Sequence, residues 1–188
     1  MKINELAPKH KMPHLYLDMD GVQADFFGAW SDKLGLTHWR EISDKEKEIN
    51  TLANSSDKEV YDFFRNLKPL KSGIELVNWL RKNNIFFTVL SAPLRGPFKE
   101  SSKQAKRDWL DEHNPGTSSS AIFTSNKQEY AITNGIKNVL VDDFGPYIEN
   151  WINAGGIAVK HAEEFEDPDT GKHTIERLEQ IYRPYFDK

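Results

Sequence analysis

"HLYLDMDGVQADFF", from His14 to Phe27, decides how this chain is read. Its first part is apolar and β-prone, as a buried strand would be. The strand then delivers two aspartates one residue apart, Asp18 and Asp20, followed by Gly21. Glycine tolerates backbone angles closed to other residues, so the turn here lets both carboxylates point into one site.

Outward from that stretch, short β-type runs at 15–18, 85–90, 121–124, 138–141 and 157–160 alternate with helical patterns at 72–83, 99–113, 127–134, 147–154 and 174–182. Most of the strands are apolar on both faces, which predicts an α/β fold with a parallel sheet covered by helices on each side. "SGIE" at 72–75 is a capping-box pattern opening one helix, and "NPG" at 114–116 stops another. About 65 residues separate the first two strands, where a simple βαβ crossover needs about 30. The excess reads as helices only. "ADFFGAWSDKLG" ends on Gly35 as a C-cap, "SDKEKEINTLAN" opens with a capping box at Ser43 and Glu46, and "DKEVYDFFRNL" follows. The expected organisation is a Rossmann-like core of residues 1–21 and 69–188 with a small helical cap, 22–68, inserted after the first strand. Ligands of open parallel sheets bind beyond the carboxyl ends of the strands, so such a cap would sit over that crevice.

Composition sets the bounds. A chain of 188 residues supports one real core, and 38% hydrophobic, 12% aromatic and 29% charged residues describe an ordinary globular protein. There is no cysteine, which excludes disulfides, thiolate nucleophiles and Cys-ligated metal centres. The start, "MKINELAPKHKMPH", has no apolar run of signal-peptide length, and no later segment approaches a membrane span, so a cytoplasmic protein without membrane contacts is expected. A net charge of −4 argues against long nucleic acid as the main partner. A homodimer is left open. The six histidines show no ligand spacing and are expected to be structural or on the surface.

Three further segments carry chemistry to strand ends. "FFTVLSAP" ends a strand with the hydroxyl of Ser91, "KESSKQAKRDWL" presents Lys99, Lys103, Lys106 and Arg107, and "NVLVDDFGP" ends a strand with Asp142 and Asp143. Taken singly, each has a plainer reading as a turn, a strand end or a solvated helix face. Together they do not, because four carboxylates converging in one crevice repel one another unless a multivalent cation offsets them. Oxygen ligands without cysteine suggest Mg²⁺, and Mg²⁺ beside a lysine and a hydroxyl suggests a phosphoryl group.

"LYLDMDGV", "VLSAP", "KRDWL" and "VLVDD", in this order, resemble the four motifs of the haloacid dehalogenase-like (HAD) superfamily of phosphotransferases. A narrower similarity, carried by "DMDGVQADF", "FFRNLKPLKSGIELVNWL", the "SAP" tripeptide, the lysine three residues before Trp109 and "TSNK" ahead of "VLVDD", is to the 5′(3′)-deoxyribonucleotidase family. This resemblance implies a Mg²⁺-dependent phosphomonoesterase acting on nucleoside monophosphates through an aspartyl-phosphate. Asp18 would be the nucleophile and Asp20 the general acid and base. The metal would be held by Asp18, the backbone carbonyl of Asp20, and Asp143, with Asp142 helping directly or through water. Ser91 would bond a phosphoryl oxygen, and Lys106 would offset charge on both the nucleophile and the transferring group. Phe26 and Phe64 match positions that stack on the base, while Phe27, Phe63 and Trp30 are the core members. Around Trp39 the chain departs from the family pattern, as it does at Ala92, next to Ser91 in the substrate pocket, where the family commonly has a second hydroxyl. Another small phosphomonoester or a nucleic-acid terminal phosphate is the alternative substrate, and a non-catalytic binding module the alternative role.

Overall fold

A computed structural model describes residues 11–186; the N-terminal stretch read for a signal peptide lies outside them up to residue 10. The strands are β1 (Leu15–Leu17), β2 (Phe87–Ser91), β3 (Ile122–Phe123), β4 (Ile132–Thr133), β5 (Ile136–Lys137), β6 (Val139–Asp142) and β7 (Ile157–Lys160). The helices are α1 (Phe26–Leu34), α2 (Lys45–Ala53), α3 (Asp57–Arg65), α4 (Lys71–Lys82), α5 (Lys99–His113), α6 (Gly145–Asn153) and α7 (Thr170–Phe186), with a 3₁₀ turn at Trp39–Glu41 between α1 and α2.

Five strands form one parallel sheet in the order β3-β2-β1-β6-β7, so the expected α/β fold is the one observed. Chain order departs from β1 in both directions, through β2 on one side and β6 on the other, which makes the ends of β1 and β6 the place where a crevice opens. The register is tight there. Leu17 pairs with Val141, and the Asp18 amide donates to the Val141 carbonyl at 2.9 Å, so Asp18 and Asp142 leave the sheet at the same level.

Both faces of β1 are buried, as its unbroken apolar run predicts. Leu15 and Leu17 pack with Leu76 and Leu80 of α4 and with Leu178 and Tyr182 of α7, while Tyr16 faces Leu140 and Trp151 of α6 on the other side. The inserted helices join a third cluster, in which Leu52, Val60 and Phe64 meet Ala105, Trp109 and Leu110 of α5. The Trp109 indole N–H donates to the Leu67 carbonyl at 2.8 Å, so this joint is polar as well as apolar.

Three local expectations are corrected. The helix read at 127–134 is a 3₁₀ turn, Lys127–Tyr130, followed by the β4–β5 hairpin, because Asn134 and Gly135 take φ of 52° and 77° and form the Asn-Gly tip of a two-residue loop. The capping box at Ser72 does not form. Instead α4 starts at Lys71, the Ser72 amide donates to Glu164, and the Ser72 hydroxyl meets His161, so a distant loop satisfies this helix end. Likewise α2 is capped by Asp44, which accepts from the Lys47 amide at 3.0 Å, rather than by Ser43. Gly35 does cap α1 in the left-handed conformation, with φ of 68°.

Candidate active site

Three carboxylates meet where β1 and β6 end. Asp18, Asp142 and Asp143 each bring an oxygen to within 4.8 Å of the others. Asp18 follows β1 directly, Asp142 ends β6, and Asp143 starts the turn into α6. Gly21 is what lets the first turn come so close: its φ is 74°, and a Cβ there would lie 2.6 Å from Asp143 Oδ2. The triad is not bare. Lys127, fully buried, places Nζ 2.9 Å from Asp18 Oδ1 and 2.6 Å from Asp142 Oδ2. Asp18 Oδ1 also accepts from the Met19 amide at 2.7 Å, and Asp142 Oδ1 from the Phe144 amide at 2.9 Å.

Charge in this cluster is out of balance. Burial first, and then repulsion from Asp18, raises the carboxyls of Asp142 and Asp143 above the ordinary carboxylate range. Burial alone would pull the Lys127 ammonium down, but Asp18 and Asp142 outweigh it and hold the group above its usual value. Asp142, Asp143 and Lys127 thus shift in the same direction, toward holding protons, as expected where a cluster of carboxylates faces one ammonium.

Asp20 belongs to a second polar group alongside. Its Oδ2 accepts from Lys106 Nζ at 2.7 Å, and the same ammonium lies 3.0 Å from Ser91 Oγ and 2.6 Å from the Ala92 carbonyl oxygen. Asp20 Oδ1 is buried without a protein partner. Burial, opposed by Lys106 and helped by Asp18, raises the Asp20 carboxyl. The structure therefore brings together Asp18, Asp20, Ser91, Ala92, Lys106, Asp142 and Asp143, all residues singled out in the sequence. One contact differs from expectation: Lys106 lies on Asp20, and the cation on Asp18 is Lys127. Sequence reading gave Lys127 no role because the helix read at 127–134 turned it into an ordinary helical residue; "TSNK", one of the stretches carrying the narrower resemblance, was the available signal.

Above this floor lies a cavity of about 570 Å³ that Asp20 and Ala92 share with Phe26, Phe64, Phe27, Trp39 and Tyr147, among others. The rings of Phe26 and Phe64 are stacked, 6.0 Å apart at 26°. Phe64 is almost wholly buried and holds Lys106 Nζ 4.8 Å from its centroid, so it is both wall and core, whereas Phe26 is only half-buried. Among the residues expected in the core, Trp30 is buried and Phe63 packs against the core. Phe27 instead faces the cavity, 4.9 Å from Trp39. No histidine joins the acidic cluster among the described residues; His161 is buried between Ser72 and Thr174.

A family profile described as 5′ nucleotidase, deoxy (pyrimidine), cytosolic type C protein (NT5C) matches residues 12–165, which takes in every group of this site. The chain belongs to the NT5C family. It is accordingly a phosphoric monoester hydrolase of the 5′-nucleotidase type, as its motif resemblance implied. Among solved structures, this NT5C-family chain is similar to a HAD family hydrolase from Deinococcus radiodurans R1 with bound phosphate and sodium. The two share 13% identity over 78% of this chain and 79% of that one, with a TM-score of 0.49. No curated protein matches it. Among the described residues of this NT5C-family member, no helix is long and apolar enough to cross a membrane.

Proposed function

We propose that this chain is a Mg²⁺-dependent phosphatase of nucleoside monophosphates, deoxyribonucleotides in particular, working through a phosphorylated Asp18. The observation that carries the proposal is the meeting of Asp18, Asp142 and Asp143 within 4.8 Å, beside an Asp20 whose carboxyl is raised.

The residues present fit a divalent ion. The donors are hard oxygens, the cluster holds uncompensated negative charge, and Gly21 lets the turn after β1 approach Asp143 where any Cβ would clash with its carboxylate. Asp18 and Asp143 would hold Mg²⁺ with the Asp20 backbone carbonyl. Asp142, whose two oxygens are engaged by Lys127 and the Phe144 amide, would steady the set. When bound, the ion neutralises charge on the phosphoryl oxygens and aligns the attack.

The chain's own groups divide the remaining work. Oδ1 of Asp18 is anchored by Met19 and Lys127, which leaves Oδ2 to attack phosphorus. As the ester P–O bond breaks, Asp20 gives its proton to the leaving alkoxide; its raised carboxyl is the condition for carrying that proton near neutral pH. Asp20, now ionised, takes a proton from water, whose oxygen attacks phosphorus; the Asp18–phosphorus bond breaks and inorganic phosphate leaves. Lys106 and Ser91 stand together to hold the phosphoryl oxygens, with Lys106 released from Asp20 whenever Asp20 is protonated. The cavity over the site suits a nucleoside, with the half-buried Phe26 as the ring for a base.

A panel of deoxyribonucleotides, ribonucleotides and sugar phosphates, assayed for phosphate release with and without Mg²⁺, tests this reading. Hydrolysis confined to sugar phosphates, or undiminished by chelation, would reject it.

A further inference from the structure

The loop carrying Trp39 is fastened to the α/β body by consecutive residues. Trp39 Nε1 donates to Glu163 Oε2 at 2.8 Å. Arg40 pairs with Glu163 at 3.5 Å and also with Glu166. The His38 ring lies 4.6 Å from that of Phe165 and its Nε2 is 3.8 Å from Glu163. Glu163 comes from the segment that leaves β7, far in sequence from the 3₁₀ turn it grips. With 18% of its side chain exposed it is mostly shielded, so its part-buried bond to Trp39 is less screened than the more exposed pairing with Arg40.

Trp39 reaches inward as well. Its ring lies against Phe27 and lines the cavity that contains Asp20, Phe26 and Phe64, with Lys45 Nζ 5.1 Å from its centroid. One side chain thus forms a wall of the active-site cavity while its only polar atom is held from outside that cavity. An indole N–H needs a partner when it is enclosed, so the direction of this bond determines where the ring can stand.

We propose that Glu163 is a positioning residue for the reaction: by accepting from the Trp39 indole and pairing with Arg40, it sets the wall against which the nucleoside part of the substrate rests. This deepens the reading of the site as a nucleotide phosphatase and rests on it. Glu163 touches no reacting atom, so its influence falls on substrate seating rather than on phosphoryl transfer.

The test compares a pyrimidine deoxynucleoside 5′-monophosphate with p-nitrophenyl phosphate, which has no sugar or base. Glu163→Ala should raise KM for the nucleotide about five-fold or more, with kcat changed by less than about two-fold and the small ester much less affected. Glu163→Gln, which keeps an acceptor for the indole, should stay near the parent enzyme, and Trp39→Phe should reproduce the alanine variant. Hydrogen exchange, which needs no activity, should show the amides of residues 36–42 exchanging roughly ten-fold faster in Glu163→Ala. Equal losses on both substrates would make Glu163 a merely structural contact and overturn the proposal, as would unchanged exchange and kinetics. Failure of the parent enzyme to hydrolyse any nucleotide would reject the substrate reading instead, with the exchange result still reporting on the fastening.

Discussion

Replacing Lys127 with methionine isolates the charge at the centre of the site. Methionine has similar length and volume, so the cavity cost of a truncation is avoided and what is lost is the ammonium between Asp18 and Asp142. Both carboxylates are buried, and removing one partner from a buried ion pair costs about 3–5 kcal/mol because the other charge stays uncompensated. For a chain of this size, about 2–4 °C of Tm accompanies each kcal/mol, giving a loss of roughly 6–20 °C in metal-free buffer. Lys127 also anchors Asp18, the carboxylate proposed to attack phosphorus, so kcat should fall by about 10²–10³, the range seen when one positioned donor is lost.

The pH dependence of that loss follows from sign. The Asp142 carboxyl is raised in the folded protein above its unfolded value, so the folded state binds more protons between the two and gains stability as pH falls. Without Lys127 the shift is larger still. The Tm deficit of Lys127→Met should therefore be greatest near pH 8 and shrink toward pH 5, and millimolar Mg²⁺ should restore part of it at pH 8. Calorimetry across that range, with and without Mg²⁺, measures all three effects. A variant as stable as the parent at pH 8 without metal would refute the reasoning, because it would mean that the buried carboxylates need no counter-charge.

Gly21→Ala should lower Tm and weaken the stabilisation by Mg²⁺ in thermal melts, since the new Cβ would lie 2.6 Å from Asp143 Oδ2 on a backbone with φ of 74°. Asp143→Asn should abolish the Mg²⁺-induced rise in Tm, which for the parent at a hundred-fold excess over Kd is worth about 2.7 kcal/mol. Asp18→Asn should remove turnover while the melting curve in metal-free buffer stays cooperative, and substantial residual phosphate release would reject Asp18 as nucleophile. Phe26→Ala should raise KM for nucleotides more than for p-nitrophenyl phosphate; equal effects measured by steady-state kinetics would count against base stacking.

What could be read from the sequence and what could not divide along a physical line. The parallel sheet was legible because buried strands impose a local pattern of apolar residues, and Asp18, Ser91 and Asp142 inherit their position from the strands they end or follow. Strand order then does the rest, since neighbouring parallel strands finish at one edge. Lys127 had no such carrier. It sits in a short 3₁₀ turn beyond β3, where periodicity is silent, and its partners are 109 and 15 residues away, by 127 − 18 and 142 − 127. The capping box at Ser72 failed for a related reason: Ser72 faces a buried histidine, so tertiary contact overrode a local pattern that was otherwise well formed.

The two lysines explain why both were needed. If Asp20 carries its proton, Lys106 is left as a free positive charge beside Ser91, facing the place a phosphoryl group would occupy. Asp18, Asp142 and Asp143, when all three are ionised, share the single charge of Lys127, and three minus one leaves two negative charges, which is what one divalent ion neutralises. A single lysine would serve both places poorly, because bonding to Asp18 and Asp142 takes two of the ammonium's three donors and leaves only one for the phosphoryl oxygens. In the proposed reaction the separation of the two cations would give one the task of holding Asp18 and Asp142 in place and the other that of meeting the transferring group, and it follows that Lys106→Met should impair turnover without the large metal-free loss of stability expected for Lys127→Met. Its partner Asp20, once unpaired, can relax by keeping one proton, whereas loss of Lys127 strands two buried carboxylates, Asp18 and Asp142, and one proton neutralises only one of them.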